Sequence, residues 1–84
     1  MASNFQDKIK REYEKKGFKV AKLAKLSGSG WTDLMCLKDG KSVFIECKEA
    51  NDTLKPLQKY KIDELKKLGF DAFCLQDGKG RIHG

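Results

Sequence analysis

The sequence predicts an α/β domain: a mixed sheet with helices packed on it, in the order helix, strand, strand, strand, helix, strand. Three observations carry that prediction. Two charged segments hold apolar residues at helical spacing. Between them lie two β-type runs joined by Lys38-Asp39-Gly40-Lys41. Both faces of the resulting hairpin are largely apolar, as expected for strands inside a sheet covered on each side.

The first helix is read from Phe5, Ile9 and Tyr13, at i, i+4 and i+8. Ser3 and Gln6 fit a capping box at its start, and Gly17 fits its end. Lys8, Arg11 and Lys15 then fall on the outer face. Phe18 to Leu26 alternates loosely and predicts a strand, followed by the flexible break Ser27-Gly28-Ser29-Gly30.

Trp31 to Leu37 and Ser42 to Lys48 are the hairpin strands. Asp39-Gly40 between them is the signature of a two-residue type I′ loop. That loop sets Lys38 opposite Lys41 and keeps the numbers of facing residues summing to 79. Met35 then faces Phe44, Leu34 faces Ile45, and Cys36 faces Val43.

Asn51-Asp52-Thr53 supplies capping residues for the second helix, with Pro56 in its first turn. Leu54, Leu57, Ile62, Leu65 and Leu68 form its apolar stripe, and Gly69 ends it. Asp71 to Leu75 is a further strand and Gln76 to Gly80 a turn. Arg81 to Gly84 is left open between an edge strand and a frayed tail.

Composition bounds the function. At 84 residues the chain is expected to be one domain, and a marginal one, so a second copy is expected to add stability. No apolar run approaches the roughly 20 residues that span a bilayer, and the N-terminus lacks a secretion-signal layout. A cytoplasmic or nucleoid-associated protein is the expectation. Cys36, Cys47 and Cys74 form no C-x-x-C pair and sit in apolar runs, so they read as buried small residues rather than zinc ligands with His83. A net charge of +6 and a pI near 9.3 point to a polyanionic partner.

The chemistry is expected where the register brings acids together. Asp33 and Glu46 sum to 79 and so face each other across the hairpin, about 4.5–5.5 Å apart at Cβ. Two carboxylates that close repel, or force one to keep a proton. A divalent cation reverses the sign, and hard oxygen ligands suit magnesium. Lys48 shares the face of Glu46 by the period of two. A bland reading stands beside this one: a solvated acid pair at a fraying strand end, bridged by Lys48.

Gly30-Trp31-Thr32-Asp33, a turn, and Ile45-Glu46-Cys47-Lys48 resemble the PD-(D/E)XK nuclease signature. The continuation, with Leu54, Gln58, Leu65, Gly69 and the run Ala72 to Leu75, is similar to the VRR-NUC branch. Its free-standing members look like archaeal Holliday junction resolvases. The resemblance runs from the first helix to about Leu75. It implies a restriction-endonuclease-like, three-layer fold with a central mixed sheet flanked by helices.

For this sequence the resemblance implies that Asp33, Glu46 and the main-chain carbonyl of Cys47 hold Mg2+, with Mn2+ as a substitute. Lys48 would orient the attacking water and offset charge on the phosphoryl group, and the products would carry a 5′-phosphate and a 3′-hydroxyl. Gln58, on the inward face of the second helix, matches the family's glutamine and would fix Lys48 or a ligand water. A satisfied buried amide is the alternative. Thr32 stands where the family has proline. Gln6 stands nearest the position of the family's helix-borne glutamate, which Glu12 would reach only in another helix phase.

Lys22, Lys25, Ser27 and Ser29 border the inferred site and, with Lys8 and Arg11, suit a DNA backbone. Trp31 is expected in the core or a dimer interface. The function expected on this resemblance is a homodimeric, magnesium-dependent endodeoxyribonuclease acting on branched double-stranded DNA, four-way junctions first. The rivals are a binding module of the same fold that no longer cuts, and an RNA-directed nuclease.

Overall fold

The computed structural model describes residues 4–23 and 31–84. The elements are α1 (Asn4–Lys15), β1 (Lys19–Lys22), β2 (Leu34–Lys38), β3 (Lys41–Lys48), α2 (Pro56–Lys67), β4 (Asp71–Gln76) and β5 (Gly80–His83). The expected cap at Ser3, the Ser27–Gly30 break and the strand residues beyond Leu23 lie outside the described residues. The sheet runs β1-β2-β3-β4-β5, with only the β3–β4 pair parallel. A parallel pair needs a long crossover, and α2 supplies it. The C-terminal segment is settled as an edge strand.

The hairpin turn is of the expected type, since Asp39 and Gly40 both have positive φ, 52° and 76°. The β2–β3 ladder pairs Lys38 with Lys41, Leu37 with Ser42, Cys36 with Val43, Met35 with Phe44 and Leu34 with Ile45. Strand β2 is shorter than the sequence predicts. Trp31, Thr32 and Asp33 precede the ladder rather than join it.

Alternate residues of the strands build two cores on opposite faces. Leu34, Cys36, Val43, Ile45 and Phe73 meet Ile9 of α1. Phe44, Ala72 and Cys74 meet Ile62 and Leu65 of α2, with Leu54 beside them. This is the three-layer order helix, sheet, helix. Each fully buried Leu, Ile, Val or Phe among them contributes about 1.5–3 kcal/mol. Gly17, at φ 95°, ends α1, and the following Phe18 N–H bonds back to the Tyr13 carbonyl at 3.1 Å.

The start of α2 corrects the expectation. Asn51, Asp52 and Thr53 lie in the preceding loop, and Lys55 is the cap. The pyrrolidine ring of Pro56 excludes a helical residue before it, so Lys55 is extended at φ −82°, ψ 155°. The Lys55 N–H donates to Gln58 Oε1 at 2.9 Å, satisfying the cap from inside the helix. Leu57 and Leu68 depart from the expected apolar stripe and are 52% and 67% exposed. With the helix starting at Pro56, Ile62 and Leu65 face the sheet and these two leucines turn away.

Candidate active site

The site forms at the carboxyl end of the parallel pair β3–β4, the usual place for a ligand in an open α/β sheet. On β3, Glu46 and Lys48 follow Phe44 at intervals of two and share the α2 face. Both are buried, at 4% and 6% exposure. Asp33 sits at the mouth of β2, where the ladder has not begun. Its Oδ2 accepts the Cys47 N–H at 2.9 Å, closing the gap that a strand residue would otherwise fill. The expected pairing of Asp33 with Glu46 is not in the ladder, which ends at Leu34 and Ile45; Asp33 reaches the end of β3 through its side chain, at the Cys47 N–H.

Burial pushes the Glu46 carboxyl up to about 8, and the neighbouring charge of Asp33 adds to the rise. Lys48 and the main-chain N–H of Asp33 oppose it. The net effect is a buried acid whose ionised form lacks compensating positive charge. Lys48 Nζ lies 3.8 Å from Glu46 Oε2 and 3.5 Å from Asp52 Oδ2, so its charge is divided between two acids.

Gln58 points inward as its helix face predicts, and its contact is with an acid. Its Nε2 donates to Glu46 Oε2 at 3.0 Å while its Oε1 takes the Lys55 N–H. One amide therefore ties the start of α2 to the site carboxylate, and orients Glu46 rather than Lys48.

Two residues at the site were not singled out from the sequence. Asp52 pairs with Lys48 from the loop after β3. Gln76, at the end of β4 and only 5% exposed, donates from Nε2 to the carbonyls of Asp52, Ala50 and Glu49 at 2.7, 3.3 and 2.9 Å. It holds the loop that presents Asp52. A signal existed: Ala72, Cys74 and Gln76 share one face by the period of two, and an amide ending an apolar series needs buried partners.

Of the remaining predicted residues that are described, none makes an ion pair with Asp33, Glu46 or Lys48, although Lys22 pairs with Leu34 on the strand beside Asp33. Helix α1 packs on the opposite face of the sheet, with Gln6 half-buried near its start and Lys8 and Arg11 exposed. Lys22 Nζ is 2.8 Å from Asp7 Oδ1, so its charge is already paired, and that pairing lowers the Asp7 carboxyl. Lys25, Ser27 and Ser29 fall outside the described residues. Trp31 is half-buried against the α2-side core, 6.4 Å from the Phe44 ring and with Lys61 Nζ 4.9 Å above it. His83 Nε2 is 2.9 Å from Asp63 Oδ1.

The three cysteines are free thiols. Burial pushes Cys36 and Cys74 up to about 11 and raises Cys47 further. The Cys47 side chain packs on the α1 face. Its N–H reaches Asp33, and in an extended strand the carbonyl of the same residue faces the same neighbour. Lys48, the next residue, turns the other way and accepts the Asp77 N–H at 2.9 Å. Oxygens that could meet a cation at this end of β3 are the carboxylates of Asp33 and Glu46, with the Cys47 carbonyl on the side that faces Asp33.

Among the described residues no group of three or more His, Cys, Asp or Glu side chains is arranged to hold a metal. The set at the site is two carboxylates and a carbonyl, hard donors that suit a cation retaining several waters, as Mg2+ does. Such an ion would favour the ionised form of Glu46, which burial and Asp33 disfavour.

A family model, the VRR-NUC domain, matches residues 3–77. Among solved structures, a VRR_NUC domain is similar at 30% identity over 83% of this chain and 77% of that one, with a TM-score of 0.71. Hjc of Archaeoglobus fulgidus, a Holliday junction resolvase from an archaeal hyperthermophile, is similar at 17% identity. That likeness covers 86% of this chain and 60% of that one, with a TM-score of 0.65, and is one of fold. Comparison with curated proteins gives no match. The extent of the family match and the placement of Asp33, Glu46 and Lys48 at one strand end lead to one statement: the chain belongs to the VRR-NUC domain family.

Proposed function

We propose that residues 1–84 form a single nuclease domain, a magnesium-dependent endodeoxyribonuclease that hydrolyses phosphodiesters in branched DNA, four-way junctions foremost. One observation carries the reading: Glu46, buried and pushed up to about 8 beside Asp33, lies within 3.8 Å of the Lys48 ammonium. An acid pair so placed costs stability in the free protein, and a bound cation removes that cost. The substrate class is supported by the family and by the fold shared with a junction resolvase.

Asp33, Glu46 and the Cys47 carbonyl are the groups that would hold Mg2+ or Mn2+. When bound, the ion lowers the pKa of a water and polarises the phosphate. Gln58 fixes the Glu46 carboxylate by holding Oε2, leaving its other oxygen for the site. Lys48, stiffened between Glu46 and Asp52, presents an ammonium at the buried end of the cluster. There it orients the attacking water and offsets charge that builds on the phosphoryl oxygens. In-line attack leaves a 5′-phosphate and a 3′-hydroxyl.

The active species in this reading is a homodimer, with one site for each of two opposed strands. Leu57 and Tyr60 of α2, with Leu68 just past its end, are exposed and supply apolar surface for the contact. Light scattering that returns a monomer at all working concentrations would remove the dimer from the proposal. Free thiols at all three cysteines suit a reducing cytosol.

The deciding experiment incubates a labelled four-way junction with the protein in Mg2+, in Mn2+ and in EDTA, beside Glu46→Gln. Cutting in either metal, none in EDTA and none by the variant is the expected result. Junction binding without cutting in either metal would identify a binding module, the reading that Gln6 favours. Faster cutting of structured RNA in direct competition would reassign the substrate.

A further inference from the structure

A cleft of about 360 Å³, bordered by Asp52, the partner of Lys48, opens between the loop before α2 and the β4–β5 turn. Asp52 and Gln76 line it, and Asp52 is the residue that pairs with Lys48. Lys59 stands on one wall and Lys79 on the other, with the Thr53 side chain beside them. Leu54 and Ile82 add apolar surface to the lining, and His83 also borders it.

The charges of this cleft are unevenly committed. The Asp52 carboxylate takes the Lys48 ammonium and the Thr53 N–H, the latter at 2.8 Å. Asp63, which approaches from α2, takes His83 at 2.9 Å. Lys59 and Lys79 are exposed and make no ion pair among the described residues. The one acid lining the cleft, Asp52, is therefore engaged, while Lys59 and Lys79, which line it with the apolar Leu54 and Ile82, are in no ion pair among the described residues. A sugar–phosphate unit matches that pattern, with an anion for the lysines and an apolar ring face for Ile82.

We propose that this cleft binds the DNA strand next to the scissile bond, one backbone phosphate held by Lys59 and Lys79 and its deoxyribose laid on Ile82 and Leu54. The assignment rests on the nuclease reading and extends it, because it sets the direction in which the strand leaves the site. The strand runs from the acids past Asp52 and out between α2 and β5. The α1 lysines, on the other face of the sheet, lie off this path.

The test measures binding of a fluorescent four-way junction by anisotropy in EDTA across a series of salt concentrations. Catalysis does not enter this measurement, so a failed nuclease reading and a failed cleft are told apart. Lys59→Ala/Lys79→Ala is compared with Lys66→Ala/Lys67→Ala, which removes equal charge from exposed positions at the far end of α2. The cleft variant is expected to bind about tenfold more weakly, with a salt dependence shallower by about 1 in logarithmic slope. Lys59→Arg/Lys79→Arg is expected to retain most of the affinity, and the far-end variant to stay near the parent. Equal losses in the two alanine variants would show a net-charge effect and overturn the assignment, as would no loss in the cleft variant or no junction binding by the parent. Inorganic phosphate filling the cleft without weakening junction binding would also overturn it, by showing a site for a free anion.

Discussion

The two faces of β3 are built from alternate residues of one strand and behave as different materials. On the α1 side Val43, Ile45 and Cys47 continue one apolar surface to the strand's end. On the α2 side Phe44 begins the same way, and then Glu46 and Lys48 follow, buried to a similar degree. The first face gains free energy from removing carbon from water. The second gives part of that gain up, since a buried carboxylate beside another acid is favourable only once something neutralises it. Neighbouring positions on one strand thus separate folding from chemistry.

The comparison is broken most severely by Asp33→Asn or by Lys48→Ala. Asp33→Asn is expected to abolish junction cutting while binding survives or tightens, because carboxylate repulsion of phosphate is relieved. Full activity in that variant would remove Asp33 from the site. For Lys48→Ala a fall in the single-turnover rate of about a hundredfold or more is expected. Metal affinity, measured calorimetrically, should change far less, and an unaltered rate would refute the role.

Ile45→Ala, one residue from Glu46 but on the other face, should do the reverse. It is expected to cost about 2–5 kcal/mol in denaturant unfolding. Its cutting rate, measured where the protein is still folded, should stay close to that of the parent. A large rate loss at intact fold would mean that the two faces are coupled.

Gln76→Leu sharpens the picture on the α2 side. Three loop carbonyls lose their donor, at a cost of about 1–3 kcal/mol. The loop that carries Asp52 should loosen, so Lys48 loses a partner and cutting slows. A variant that is destabilised yet cuts at the parent rate would confine Gln76 to a purely structural part.

The smallest expected effect concerns pH in the metal-free protein. The Glu46 carboxyl rises from an ordinary 4.5 to about 8 on folding, so the folded chain binds the extra proton between those values. Its contribution to stability is complete below about 4.5 and is lost as pH climbs through 8. Glu46→Gln should therefore melt near the parent at pH 5 and above it at pH 8. Mg2+ should raise the parent's melting temperature more at pH 8 than at pH 5. Melting curves that move in parallel across this range would show that Glu46 is not the strained group.

Much of the site was legible because its geometry is local. Asp39-Gly40 sets a two-residue turn, the turn sets a register as far as Leu34 and Ile45, and Asp33, one residue further, reaches the end of β3 through its side chain. What escaped the sequence comes from contacts across longer distances. Gln76 reads as the start of a turn until the parallel β3–β4 pairing puts it beside residues 49–52. Asn51-Asp52-Thr53 has the composition of a helix cap, yet Pro56 and the inward Gln58 place the helix start four residues later than Asp52. The pairing of Lys22 with Asp7 joins β1 to α1 and has no trace in local spacing.

The amino-acid order by itself determined the alternation of apolar positions, the hairpin and its pairing, and the identity of the acids and the lysine that meet there. These follow from periodicity and turn chemistry, which act over a few residues. The packing of helix against sheet decided how deeply Glu46 is buried, which amide holds it, and which lysines remain uncommitted beside it. Those outcomes depend on which surfaces exclude water, a property of the assembled layers and not of any single segment.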